Sequence, residues 1–343
     1  PLVTKTIATV SEGQSVTRNT TAEIWKFINS ELDVCASVLP LTQTEKGRIT
    51  KGAALALKAR ALLYQNKWSE AATVAKSVMD LNKYSLYPKY EDLFSTVAEN
   101  NAEIILDKQF IKDIYSNNAF QYLGPYSQKN ANSTFVPTKK MIDSYTMSNG
   151  KSISDPTSGY DKDKPYDNRD PRLKFSVFVK GSKLSDGKIY DPTPGSKTLD
   201  EVGSTYLATV LGFNIKKYVN ADDLANISNC GINIILIRYA EILLTYAEGK
   251  IESDQIDQSV YDAINSIRQG RNDVKLPVIA SGLSKTELRV IVRNERKVEL
   301  AFEGLRLFDL RRWKTAGTEI PGFVEGMTYK NTSGAYVTIK LDG

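Results

Sequence analysis

The chain has 343 residues, enough for a substantial core in one large or two modest domains. An apolar fraction of 41% and a charged fraction of 25% are those of an ordinary globular protein and exclude general disorder. Of the formal net charge of +5, most falls between Lys285 and Lys314, where nine Lys or Arg face five Asp or Glu. That surplus sits in a periodic helical stretch with no groove-reading residues, so nucleic acid is not an expected partner.

Thr20 and Glu23 form a capping box, and Ile24, Phe27, Ile28, Leu32, Cys35 and Leu39 then recur at helical spacing until Pro40. Cys35 lies on that apolar face, which predicts a buried free thiol. A second helix starts at Thr50, and a turn at Asn66–Lys67 leads into a third from Trp68. Small Ala59, Ala71 and Ala75 with apolar Leu62 and Val78 resemble a tetratricopeptide helix–turn–helix, with Trp68 as a packing residue. One such unit cannot bury its faces alone, so partner helices are required.

From about Tyr84 to Cys230 helical periodicity fades and Tyr, Asn, Asp, Pro, Ser and Gly punctuate the chain. Residues 102–110 predict a short strand, 173–190 alternate and turn at Asp186–Gly187 as a hairpin, and 211–219 predict another strand. Irregular chain on this scale is more often a binding surface than filler. Helices resume over 232–249 and 258–272. Ser284 and Glu287 form a further capping box, opening a helix that runs through Phe302, with Gly304 ending or bending it before 305–316. Two helical blocks around an irregular middle read as one composite domain: 20–83 and 231–315 helical, 84–230 loop-rich, 316–343 an incomplete end.

Histidine is absent, which removes Ser-His and Cys-His nucleophile pairs, His-ligated zinc and imidazole as a base. Cys35 and Cys230 stand far apart and outside any CxxC motif, so neither a disulfide framework nor a zinc knuckle is expected. Gly150, Gly159, Gly181 and Gly187 are isolated turn residues, not a phosphate loop. The carboxylate-rich run Asp161 to Asp170 has Pro165 and Tyr166 where a calcium loop needs a ligand and a glycine, so it reads as a solvated loop in which Arg169 and Arg172 tie neighbouring segments. No metal and no cofactor are expected. No run approaches a membrane span. The start lacks Met, a basic n-region and an apolar h-region, so it carries no signal peptide, and a processed or partial chain is expected.

Two features invite chemistry. In the helix from Lys285, Leu288, Ile291, Val292, Val298 and Phe302 share one apolar arc, and Glu295 and Glu299 fall in its middle. An acid/base pair is one reading. The stronger one is structural: buried carboxylates need guanidinium partners, for which Arg238, Arg306, Arg311 and Arg312 are nearby in sequence. The second feature is aromatic. Tyr115, Phe120, Tyr122, Tyr126, Phe135, Tyr145, Tyr160 and Tyr166 crowd a polar stretch with Asn117, Asn118, Asn130 and Asn132. Sugar rings have apolar C–H faces and polar rims, which aromatic faces beside amides suit. Tyr145 reads as packing; Tyr122 and Tyr126, flanking Gly124–Pro125, read as the exposed pair. The ligand set expected from the residues is Tyr115, Tyr122, Tyr126, Asn130, Asn132, Tyr160 and Tyr166.

The segment Arg293 to Trp313 (RNERKVELAFEGLRLFDLRRW) is similar to the signature near the C-terminal end of the SusD/RagB family, through Arg293, Glu295, Arg296, Glu299, Glu303, Arg306, Asp309, Arg312 and Trp313. The resemblance extends to PLVTK at the start, GRITKGAALALKARALLYQNKW, VPTKKMIDSYTMSNGKSI, YDNRDPRLKFSVFVKG, GFNIKKYV, IRYAEILLTYAEG and INSIRQGRN, in the family's order. It implies a mainly α, SusD-like fold: a tetratricopeptide-like helical repeat scaffold of four units with a long loop-rich region and a few short strands. It also implies a non-enzymatic, cell-surface nutrient-binding lipoprotein of the outer membrane that captures an oligosaccharide or polysaccharide. The implied partner is a SusC-like TonB-dependent transporter, over which the lipoprotein sits as a lid. The family's acylated start and its Pro- and Asn-containing end are unmatched, so the implied lipid anchor is expected outside this chain. Peptide capture, as in the RagB branch, a plain repeat scaffold for protein partners, and carboxylate-only glycoside hydrolysis are the alternatives.

Overall fold

The computed structural model describes residues 1–341. A short α1 (Val10–Ser15) precedes α2 (Thr21–Val38), α3 (Lys51–Tyr64) and α4 (Trp68–Met79). Their starts are those that the capping residues predict: the Thr20 hydroxyl accepts from the amide of Glu23 while the Glu23 carboxylate accepts from the amide of Thr20, and the Thr50 hydroxyl accepts from Ala53. The alanines of α3 and α4 are almost fully buried, which lets the two helices approach closely. Later come α8 (Tyr239–Glu252), α9 (Gln258–Gln269) and α10 (Lys285–Glu299). α2 packs on α3, α3 on α4, α4 on α8, and α8 on both α9 and α10, so α8 is buried on nearly every side. At Gly249 of α8 an added Cβ would lie 2.7 Å from the Trp68 carbonyl oxygen, so this crossing depends on the missing side chain.

Between the helical blocks lie β1 (Ile104–Lys108), the short α5 (Ala119–Leu123), α6 (Lys139–Ser144) and α7 (Arg172–Ser176), then β2 (Val177–Phe178), β3 (Asn214–Ile215) and β4 (Ile234–Arg238). β1 pairs antiparallel with β4, and β2 with β3. The chain closes with α11 (Arg306–Trp313), α12 (Ala316–Glu319) and the antiparallel hairpin β5 (Val324–Lys330) and β6 (Tyr336–Leu341).

Several expectations are corrected. Residues 234–238 form a strand rather than the first turns of a helix: the β-branched run Ile234, Ile235, Ile237 finds β1 as a partner, and tertiary pairing decides what periodicity left open. Residues 172–176 form a helical turn before a two-residue strand, although the small hairpin at Asp186–Gly187 is present, with Lys183 bridging Ile189. α10 ends at Glu299, three residues before Phe302, whose φ of 65° lies in the left-handed region. The freed Glu299 carbonyl accepts from the Tyr90 hydroxyl at 3.0 Å, Lys217 Nζ at 3.2 Å and Arg238 Nη2 at 2.7 Å, so side chains finish what the helix leaves undone. Cys35 is half-buried rather than buried, because only part of the apolar face of α2 is covered. The end after Trp313 folds into a hairpin that the sequence reading left unassigned.

Three apolar clusters meet at the C-terminal end of α10. The first unites α3, α4, α8, α9 and the start of α10; the second gathers Tyr90, Phe94, Phe120, Tyr218 and Ile235; the third gathers Ile142, Tyr145, Val177, Phe213, Val298 and Met327. The seam between them is filled by charge.

Candidate ligand-binding surface

Glu299 is fully buried at that seam. Its Oε2 lies 2.9 Å from Arg172 Nη1, and its Oε1 2.7 Å from Arg238 Nη1 and 3.0 Å from Arg271 Nη2. One turn earlier, Glu295 takes Arg172 at 2.6 Å and Arg268 at 3.0 Å. Asp170 holds Arg172, Glu103 holds Arg238 and Arg271, and Glu303 holds Arg238 and Lys217. Asp170, Glu103, Glu295, Glu299 and Glu303 thus face Arg172, Arg238, Arg268, Arg271 and Lys217, five charges against five, which is what makes burial of so many ions tolerable. Burial works to raise the Glu299 carboxyl, but the guanidinium groups of Arg271, Arg238 and Arg172 outweigh it and hold the group well below the usual carboxylate range. Burial pulls the Lys217 ammonium down to about 8 against the opposing pull of Glu303.

Both glutamates are therefore buried and paired, as the apolar arc predicts. Only Arg238 of the four suggested partners takes part. Arg306 pairs with Glu319 at 3.0 Å, Arg312 with Glu248 and Asp309, and Arg311 is exposed. Arg268, Arg271 and Arg172 come instead from α9, the turn after it and α7, and no spacing in the sequence points to them. The rest of the signature builds a second knot: Arg296 reaches Asp309 at 3.2 Å, Trp313 Nε1 donates to Glu248 at 2.6 Å, and Arg293 lies 4.8 Å from the Trp313 ring centre. Arg169 does tie loops, donating to the carbonyls of Ile142, Tyr145 and Pro165.

Tyr122 lies in α5 and Tyr126 just after it, and the segment from 118 to 135 closes on itself: the Asn132 amide donates to the Gln121 carbonyl at 2.7 Å and the Thr134 amide to that of Tyr122 at 2.9 Å. The buried Asn214 amide group pins this loop from below, donating to Leu123, Gly124 and Ser133, and accepts in turn from the Tyr190 hydroxyl at 2.8 Å. Tyr122 and Phe135 are exposed, Asn130 is exposed, and Tyr126 and Asn132 are half-buried. One loop therefore carries Tyr122, Tyr126, Asn130 and Asn132.

Tyr115 stands on the adjacent turn, where its amide and carbonyl each bond to Ile111 at 2.9 Å. Its ring stacks on Phe110 at 5.3 Å and 6°, the Lys108 ammonium lies over both, and Tyr115 is still 54% exposed. Phe110 was not singled out in the sequence; its place five residues before Tyr115, across a tight turn, is the signal that marks it. Tyr160 and Tyr166 belong to a different segment. Tyr160 lies under the Arg169 guanidinium, and Tyr166 packs edge-on against Phe213 in the third cluster. Phe120 and Tyr145 are fully buried. Among the described residues no group of three His, Cys, Asp or Glu side chains is placed to hold a metal ion, and no helix is long and apolar enough to cross a membrane.

Comparison with known proteins decides the relationship. The model of the SusD family matches residues 102–337. The chain belongs to the SusD family. A SusD-like carbohydrate binding protein of Bacteroides fragilis has a similar structure, with a TM-score of 0.88 at 30% identity over 97% of this chain and 66% of that one. A second SusD-like protein of the same species gives 0.80 at 27% identity, over 98% and 68%. A SusD-like protein of Formosa agariphila is 26% identical over 94% of this chain and 62% of its own length. The chain thus spans less than two thirds of the curated relative's length. The SusD-like fold, a helical repeat scaffold with a few short strands, is the architecture described above.

Proposed function

We propose that this SusD-family chain binds a glycan through its loop-rich middle. In the whole protein the bound oligosaccharide passes to a SusC-like TonB-dependent transporter at the outer membrane, where a lipid anchor holds the protein at the cell surface. The observation that carries the reading is the pairing of exposed, flat rings with amides on braced backbone: Tyr115 stacked on Phe110, and Tyr122 with Asn130 and Asn132 on one self-closed loop. Such rings bury sugar C–H faces at little cost in side-chain entropy, because their supports hold them before the ligand arrives. The likeness to a carbohydrate binding protein of Bacteroides fragilis supports the same reading.

Residues 84–230 supply the binding surface, and the helices of 20–83 and 231–315 form its scaffold. Tyr115, Tyr122, Tyr126, Asn130 and Asn132 are the contact residues; Tyr160 and Tyr166, held against Arg169 and Phe213, border a separate face. Catalysis is not part of the proposal. Every carboxylate oxygen of Glu295 and Glu299 is engaged by a guanidinium, so neither is free to give or take a proton at a substrate. Calorimetric titration against panels of neutral and acidic oligosaccharides and of peptides tests the binding, with chromatography of the ligand afterwards. Binding of a glycan with unchanged chain length is expected; binding of peptides alone, or steady release of shorter products, overturns the reading.

A further inference from the structure

A cavity of about 510 Å³ opens between residues 162–167 and the β5–β6 hairpin, away from the loop that carries Tyr122. Its charge is lopsided: Lys162, Lys164, Lys180 and Lys330 line it, against Asp163 and Asp167. Asp163 is already engaged, accepting from Lys330 at 2.5 Å and from the Tyr336 hydroxyl. Lys180 reaches Asp191 only at 3.6 Å, and Lys162 and Lys164 form no ion pair among the described residues. Like charges gathered in a concave wall focus a positive potential that an anion relieves.

The same wall carries rings. Tyr166, Tyr329 and Tyr336 line it, and the Tyr336 ring has the Lys162 ammonium 4.6 Å and the Lys330 ammonium 5.1 Å from its centre. The floor is firm, because Met327 is buried in the third cluster and its amide donates to the Leu211 carbonyl at 2.8 Å.

We propose that this cavity is a binding site for an anionic oligosaccharide, one whose sugar rings carry carboxylate or sulfate groups. A neutral sugar would use the tyrosines and leave the Lys162 and Lys164 ammonium groups unmatched. An acidic peptide would use the ammonium groups and make no use of the apolar ring surface beside them. A sugar ring bearing an anionic group presents an apolar face and a charge side by side, as the wall does. The inference rests on the glycan-binding reading and adds to it a second contact region whose charge names the class of glycan.

The test is calorimetry on the 343-residue chain with four probes: an oligogalacturonate, a sulfated galactan oligosaccharide, a neutral malto-oligosaccharide and polyglutamate. Each is titrated at low and at roughly tenfold higher ionic strength. At least one acidic probe is expected to bind more tightly than the neutral one, and more weakly in salt; which of the two does so assigns carboxylate or sulfate. The exposed double variant Lys162→Gln/Lys164→Gln, with an unchanged thermal midpoint, is expected to weaken that probe by about five- to thirtyfold. Neutral-probe affinity should not change. Acidic probes no tighter than the neutral one, no effect of the double variant, or equal binding of polyglutamate overturns the proposal. If the neutral probe binds and the acidic ones do not, glycan binding stands and this inference falls. If no oligosaccharide of any panel binds, both fall.

Discussion

Arg172 and Glu299 lie 127 residues apart in sequence, and their side chains meet at 2.9 Å with both almost wholly buried. Arg172 also holds Asp170 and Glu295, so a single guanidinium joins the loop-rich middle to the long C-terminal helix. The joint fixes how the loop-rich middle sits on that helix.

Removing one member strands the others. Glu299→Ala leaves three guanidinium groups without their shared carboxylate in a desolvated seam, and a loss of about 3–5 kcal/mol in unfolding free energy is expected. Arg172→Ala should cost a similar amount, and the double variant clearly less than the sum, since the two share partners. Urea denaturation measures all three. A loss within error for Glu299→Ala would show that the seam is not desolvated.

Acid should act on the same joint. The Glu299 and Glu303 carboxyls are both held below their ordinary value: burial opposes this, but Arg271, Arg238 and Arg172 at the first, and Arg238 with Lys217 at the second, prevail. In the window between the folded values and the unfolded glutamate value of about 4.3, the unfolded chain binds more protons, so stability rises with pH. The contribution is complete above that value and drains away as pH falls toward the folded ones. The urea midpoint should therefore drop steeply below about pH 4.3. Glu299→Gln should flatten that slope; an unchanged slope contradicts the assignment.

On the proposed ligand surface, Tyr122→Ala and Tyr115→Ala are each expected to weaken glycan binding by about 1–3 kcal/mol, the range of buried aromatic anchors, with the urea midpoint unmoved. Tyr166→Ala should lower that midpoint, because its ring closes on Phe213. Calorimetry beside denaturation separates the two. Unchanged affinity for both exposed tyrosines would refute the contact set.

Helix spacing gives a further measurement. Gly249→Val places carbon where the Trp68 carbonyl and Ala72 now touch α8, and the α4–α8 crossing must widen. A loss of about 1–3 kcal/mol is expected, with the fold retained by circular dichroism. A variant as stable as the parent would mean that this crossing is loosely packed.

Local rules determined much of this protein. Thr20 with Glu23 and Ser284 with Glu287 announce their helices because a capping box is satisfied within four residues, whatever surrounds it. The apolar arc around Glu295 and Glu299 likewise predicts burial, since helix geometry alone sets which residues share a face. The family is legible too, through the run from Arg293 to Trp313. Tertiary structure decided the remainder. Whether Ile234 to Arg238 became strand or helix depended on β1 lying alongside, and the partners of Glu299 came from Arg172 and Arg271, whose distance along the chain carries no spacing rule. The hairpin from Val324 to Leu341 follows the same logic. That it would lie against residues 162–167 and gather lysines and tyrosines around one cavity is set by its Met327 packing on Leu211. Short-range hydrogen bonding is written in neighbouring residues, whereas a site assembled from distant loops exists only once the core has chosen which surfaces meet.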